Sequence, residues 1–156
     1  MYQKILVPLD GSKLAECVLP HVEEIAKGCH AGEVVLLRVC EPPIVLSDYP
    51  GSESAWEEHL DQETTHALQR CSLYLHEVEE RLRASGINVR SDSLLGRAAE
   101  QIVDYAARNE IDLIVMASHG RSGPSRWGHG NVSEKVFRGT CVPILMVRAP
   151  GCFPGI

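Results

Sequence analysis

The segment I-V-M-A-S-H-G-R-S-G-P-S-R-W-G-H-G-N-V, from Ile114 to Val132, is an apolar strand running into a glycine-punctuated loop that hands over to a helix. Gly120, Gly123, Gly128 and Gly130 leave backbone N–H groups unshielded by side chains. A helix starting near Asn131 adds unsatisfied N–H donors and the positive end of its dipole. Such a cradle takes phosphate. Arg121, Arg126, Lys135, Arg138 and Arg148 surround it against one acid, Glu134, in a chain whose net charge is −6. Local charge opposing global charge favours an anion site. Loops of this composition also arise for steric reasons alone, so context decides.

A second candidate is Asp10 in the strand-end string L-D-G-S. A carboxylate beyond the carboxyl end of a strand accepts hydrogen bonds from a ribose; the alternative is a turn or helix-capping aspartate. His119 lies beside the expected phosphates, yet no carboxylate is placed by sequence to orient it and no Mg²⁺-ligand aspartates cluster with it, so it reads as a loop-shaping donor. No catalytic residue is assigned. The P-loop pattern G-x-x-x-x-G-K-[ST] is absent, and the near-match to a dinucleotide fingerprint at Gly128 and Gly130 lacks its third glycine.

These residues need a scaffold. A chain of 156 residues is one domain by the usual prior and long enough for a single core. With 23% charged and 5% aromatic residues the composition is that of an ordinary soluble protein. The apolar run near the start is too short for a signal peptide, and no run reaches a membrane span, so a cytoplasmic location is expected, with neither membrane nor nucleic acid as partner. Cys17, Cys29, Cys40, Cys71, Cys141 and Cys152 form no C-x-x-C pair and are read as small hydrophobes in a reducing compartment, with only Cys152 exposed and reactive. The histidines give no metal signal.

Periodicity supplies the order of elements. Strands are expected at Lys4 to Leu9, Glu33 to Val39, Asn88 to Leu94, Asp112 to Met116 and Pro143 to Val147. Helices are expected at Lys13 to Lys27, capped by Ser12 and bent at Pro20, at Ser54 to Ala84, at Ala98 to Arg108 and at Val132 to Arg138. In the long helix Trp56, Leu60, Ala67, Cys71, Leu75, Val78 and Leu82 form the core side, and Glu57, Glu58, Asp61, Glu63, Glu79 and Arg81 a solvated face. Residues 1–148 form the domain and 149–156 a frayed tail. Alternating strands and helices imply an open five-stranded parallel sheet with helices on both faces. The most apolar strands, the first and fourth, belong at its centre, where a crevice opens beyond their carboxyl ends.

The strings I-L-V-P-L-D-G-S, V-V-L-L-R-V, M-A-S-H-G-R-S-G, G-N-V-S-E-K-V and V-P-I-L-M-V, in this order over nearly the whole chain, resemble the universal stress protein family. The resemblance implies a Rossmann-like α/β fold of the adenine nucleotide alpha-hydrolase kind, with strand order 3-2-1-4-5. The nucleotide-binding members carry Gly, two residues, Gly, nine residues, then Gly followed by Ser or Thr; here the pattern falls on Ala117, Gly120, Gly130 and Asn131. By resemblance Pro8, Leu9 and Asp10 lie along the adenosine and Val39 touches the adenine. Met116 and Ala117 flank the ribose and α-phosphate, and Gly120, Gly130, Asn131, Val132 and Ser133 hold the phosphates, with His119, Arg121 and Gly123 alongside. Ala117 and Asn131 depart from the fingerprint: Asn131 still caps a helix, but its carbonyl oxygen is an acceptor facing an anion.

The expected protein is therefore an adenine-nucleotide-binding stress-response sensor or regulator. Its cofactor is ATP, AMP or another adenine nucleotide, with Mg²⁺ as a possible companion. It acts on an unidentified protein partner and as a homodimer through the edge strand Pro143 to Val147. The alternatives are a nucleotide-independent dimeric interaction protein of the same fold and, third, a slow ATP hydrolase.

Overall fold

The computed structural model describes residues 1–43, 51–119 and 132–150. Its elements are β1 (Lys4–Pro8), a 3-10 turn (Ala15–Val18), α1 (Leu19–Gly28), β2 (Glu33–Cys40), α2 (Glu53–Ala84), β3 (Val89–Leu95), α3 (Ala98–Arg108), β4 (Leu113–Ala117), α4 (Val132–Gly139) and β5 (Ile144–Val147). The strands form one sheet in the order β3-β2-β1-β4-β5, with every neighbouring pair parallel. The apolar first and fourth strands stand together near its centre, as expected.

Both faces of the sheet are covered, which is why β2 buries Val34, Val35, Leu36 and Leu37 in succession. On one face Ile5, Val7, Val34, Leu36 and Val115 meet Val22 and Ala26 of α1 and Leu75, Val78 and Leu82 of α2. On the other, Leu6, Val35, Leu37, Ile114 and Met116 meet Ile102, Tyr105 and Ala106 of α3 and Val136 of α4. Neither core is complete without the sheet between them.

Three expectations are corrected. The first helix is not continuous from Lys13 and bent at Pro20: a 3-10 turn ends at Val18 and α1 begins at Leu19, with the proline in its first positions. Proline lacks an N–H, and the first turn of a helix leaves that donor without a partner in any case, so a helix starts at proline at no cost. The Ser12 hydroxyl instead accepts from the Ala15 N–H at 3.1 Å, holding the turn.

The second correction concerns α2. Its 32 residues span about 48 Å, whereas β2 spans about 26 Å. Only Cys71, Leu75, Val78 and Leu82 are buried. Trp56, Leu60 and Ala67 share the apolar stripe but lie where the helix has passed beyond the sheet, so they are only half-buried. Nor is the polar side merely solvated. Glu79 accepts from the Ser91 hydroxyl at 2.5 Å and pairs with Arg83, while Arg81 reaches Glu16.

The third is covalent. Cys40 at the end of β2 and Cys71 in the middle of α2 are joined by a disulfide, their Cα atoms 6.9 Å apart, so these two are not independent apolar fillers. Cys17 and Cys29 are half-buried and Cys141 is exposed. Cys152, like residues 151–156 of the expected tail, lies outside the described residues. Packing continues past Arg148 at least through Ala149, which is buried. Among the described residues no helix is long and apolar enough to cross a membrane.

Candidate functional site

Register brings the candidates together. β1 pairs β2 with Pro8 opposite Leu37, so the next steps bring Leu9 beside Arg38 and Asp10 just past the paired residues. The first of these steps is held by the Leu9 N–H donating to the Leu37 carbonyl at 2.9 Å. β1 pairs β4 with Leu6 opposite Ile114; continued, this sets Pro8 level with Met116 and Leu9 with Ala117. The chain leaves β1 for β2 on one side and β4 for β5 on the other, so the crevice between their carboxyl ends is the switch point at which open α/β sheets bind ligands.

Asp10 is held in an Asx turn. Its Oδ1 accepts from the Ser12 N–H at 2.9 Å and the Ser12 hydroxyl at 2.6 Å. Gly11 between them has φ +86°, and a Cβ there would lie 2.8 Å from the Arg38 guanidinium carbon. That tight reversal holds the carboxylate immediately after the carboxyl end of β1. Leu9 and Met116 are buried in the two cores, whereas Pro8, Val39 and Ala117 are half-buried at the sheet's edge.

Behind Asp10 is a charged cluster that the sequence reading missed. The Arg38 guanidinium lies 5.0 Å over the centre of the Tyr74 ring. The Tyr74 hydroxyl donates to Glu16 at 3.1 Å, and Arg81 binds the other Glu16 oxygen at 2.9 Å, with Lys13 at 3.3 Å. Burial pushes the Glu16 carboxyl up, but the hydrogen bonds from Arg81, Lys13 and Tyr74 outweigh it and hold it below its ordinary value. Burial, with Glu16 beside it, raises the Tyr74 hydroxyl above its ordinary range. The signal in the sequence was Arg38, one cation inside the otherwise apolar run V-V-L-L-R-V-C.

On the opposite side, β4 ends at Ala117 and α4 begins at Val132. Ser118 ties them: its N–H donates to the Val147 carbonyl at 2.8 Å and its carbonyl accepts from the Ser133 hydroxyl at 3.1 Å. Its own hydroxyl accepts from the Ala149 N–H at 3.2 Å and lies 3.0 Å from His119 Nδ1. The buried Ser133 hydroxyl thus gives its proton to the fold, while Val132 is exposed at the helix start. Of the cations counted around the loop, Arg138 pairs with Glu134 at 2.7 Å. Gly120, Arg121, Gly123, Gly130 and Asn131 lie outside the described residues, as do Arg126 and Gly128. A cavity of 580 Å³ between Val103, Ala107, Gly139 and Pro143 is at the other end of the sheet, where β4 and β5 begin.

The fold and the crevice define a small doubly wound α/β domain with a polar site at its central switch point. Residues 1–148 match the universal stress protein family, and the chain belongs to that family. Universal stress protein MJ0531 of Methanocaldococcus jannaschii is 31% identical over 150 residues, spanning 96% of this chain and 84% of that protein. The structure of MJ0577 superposes with a TM-score of 0.82 at 28% identity, over 97% of this chain and 99% of that one. UspA of Lactobacillus plantarum follows with a TM-score of 0.72 at 25% identity, over 94% and 98% of the two chains.

Proposed function

We propose that this protein binds an adenine nucleotide at the carboxyl edge of β1 and β4 and acts as a stress-response sensor or regulator, without catalysing a reaction of its own. The observation that carries the reading is the placement of Asp10. Its carboxylate is held by Ser12 just beyond the carboxyl end of β1, the strand that pairs with β4 at the crevice. In this reading Asp10 accepts hydrogen bonds from the ribose, with Pro8, Leu9 and Val39 along the adenosine and Met116 and Ala117 beside the ribose and α-phosphate. The phosphates fall to Gly120, Gly130, Asn131, Val132 and Ser133, with His119, Arg121 and Gly123 nearby; Ser133 contributes its backbone N–H, its hydroxyl being spent on Ser118. Support comes also from two structures of the same fold. A universal stress protein in complex with cAMP superposes with a TM-score of 0.65 at 18% identity. An Arabidopsis thaliana family member with AMP bound superposes with a TM-score of 0.55 at 17% identity. ATP is the expected ligand, with Mg²⁺ as its companion where the triphosphate binds.

Calorimetric titration with ATP, AMP and cyclic AMP tests this. Saturable binding that Asp10→Ala and Gly120→Val both abolish supports the site. Binding that survives both substitutions puts the ligand elsewhere and refutes it.

A second reading, a nucleotide-independent interaction protein, is favoured by one apolar patch. Phe137 is 64% exposed, Met146 41% and Leu145 37%, around the edge strand β5. Unpaired edges with apolar side chains invite association. Both readings include a homodimer through Pro143 to Val147.

A further inference from the structure

We propose that Cys40 and Cys71 are a reversible thiol–disulfide pair, responsive to low-molecular-weight disulfides, whose oxidation state biases nucleotide affinity at the crevice. The coupling half of this proposal rests on the adenine-nucleotide reading above.

The two sulfurs lie at a junction. Cys71 is the first buried residue of α2, and none of residues 53–70 is buried, so the disulfide marks where the helix leaves the sheet. Cys40 is the last residue of β2 and lies two residues past Arg38, whose guanidinium packs against Gly11 in the turn that holds Asp10. Arg38 and Cys40 alternate onto one face of β2, while Tyr74 and Cys71 are three apart on one face of α2. The strand end is therefore attached to the helix twice, once by a covalent bond and once by the Arg38 guanidinium over the Tyr74 ring. Arg38 in turn lies against Gly11, in the turn that fixes Asp10. A change at Cys40 reaches the ribose-binding carboxylate through adjacent contacts.

The reduced state is also accommodated. The Cys40 sulfur lies 3.9 Å from the Ala67 carbonyl oxygen, one helical turn before Cys71, so a thiol there finds an acceptor for its proton. Both cysteines are buried in the closed fold. The half of α2 preceding Cys71 has little buried surface to hold it, and its local opening admits a small reagent. The exchange balances within the named reactants. One cysteine thiolate attacks a sulfur of RSSR and releases RS⁻, forming a mixed disulfide. The second thiolate attacks the protein sulfur of that mixed disulfide and releases another RS⁻. Two cysteines are oxidised to cystine, one RSSR is reduced to two RSH, and the cysteine protons pass to the released thiolates.

The test equilibrates the whole protein with glutathione and glutathione disulfide at stepped ratios. Alkylation followed by mass spectrometry counts thiols, and calorimetry titrates ATP into the fully reduced and fully oxidised forms. Two alkylation sites, mapped to Cys40 and Cys71, should disappear together as the ratio turns oxidising. ATP affinity should differ by about fivefold between the two forms. Cys40→Ala and Cys71→Ala, made singly, should each abolish the difference. Hydrogen exchange at residues 10–12 and 38–40 should change with oxidation whether or not ATP is present. A pair that stays in one state at every ratio overturns reversibility. Equal affinity and equal exchange in the two forms overturn the coupling. Absence of nucleotide binding in both forms sinks the nucleotide reading and the coupling to it, while the thiol count still decides whether the pair is reversible.

Discussion

Replacing Gly11 by alanine probes the turn that aims Asp10. At φ +86° an alanine pays the left-handed penalty of an L-residue, about 1–2 kcal/mol. The new Cβ would meet the Arg38 guanidinium carbon at 2.8 Å. That group is the far end of a flexible side chain, so it moves and the backbone stays. In moving it gives up its position over Tyr74, about 0.5–1 kcal/mol for a partly exposed cation–aromatic contact. Gly11→Ala should therefore destabilise by about 1.5–3 kcal/mol in the native sequence. In an Arg38→Ala background only the backbone part remains, about 1–2 kcal/mol. Urea unfolding of the four proteins at one fixed redox poise measures the cycle, with an unchanged slope confirming that the same surface unfolds. Equal costs in the two backgrounds would mean that Arg38 does not press on Gly11. A cost below about 0.5 kcal/mol in both would mean that the turn does not require a left-handed residue.

Two further predictions concern the acid limb and the sheet edge. Because the folded Glu16 carboxyl is held below its ordinary value of 4.5, its stabilising contribution is complete above that value and lost as pH falls through the lowered one. Glu16→Gln should lower the urea midpoint at neutral pH and flatten its decline in acid; parallel curves for the two proteins would refute the assignment. Leu145→Asp should halve the mass seen by light scattering, whereas the same change at the exposed Leu73 of α2 should leave it alone. A dimeric Leu145→Asp protein would place the interface elsewhere.

The central pair was legible because burial on both faces makes inner strands apolar, as the first and fourth are; the full order β3-β2-β1-β4-β5 was what the family resemblance implied. Where the sequence misled, the cause was geometric. The stripe from Trp56 to Leu82 has one period throughout, but periodicity carries no information about where the sheet ends beneath the helix. Pro20 looked like a kink because the 3-10 turn before it has nearly the same apolar spacing as an α-helix. The bond from Cys40 to Cys71 crosses 31 residues and depends on how far β2 extends relative to α2. The Arg38, Tyr74 and Glu16 cluster draws on three elements, so the lone cation in β2 signals it but no local pattern gives its partners. Asp10 showed the reverse: the sequence offered a ribose contact or a turn aspartate, and the turn is present, its hydrogen bonds setting the direction in which the carboxylate points.

Ser118 joins three stretches of chain that are remote in sequence, through its amide, its carbonyl and its hydroxyl. Any displacement of that residue drags the beginning of α4 and the exit from β5 with it. The floor on this side of the crevice therefore moves as one block. On the nucleotide reading proposed above, an anion at the start of α4 would meet Val132 and Ser133 already held against Ser118 and β5, which would spare the association step the entropy of bringing those segments together.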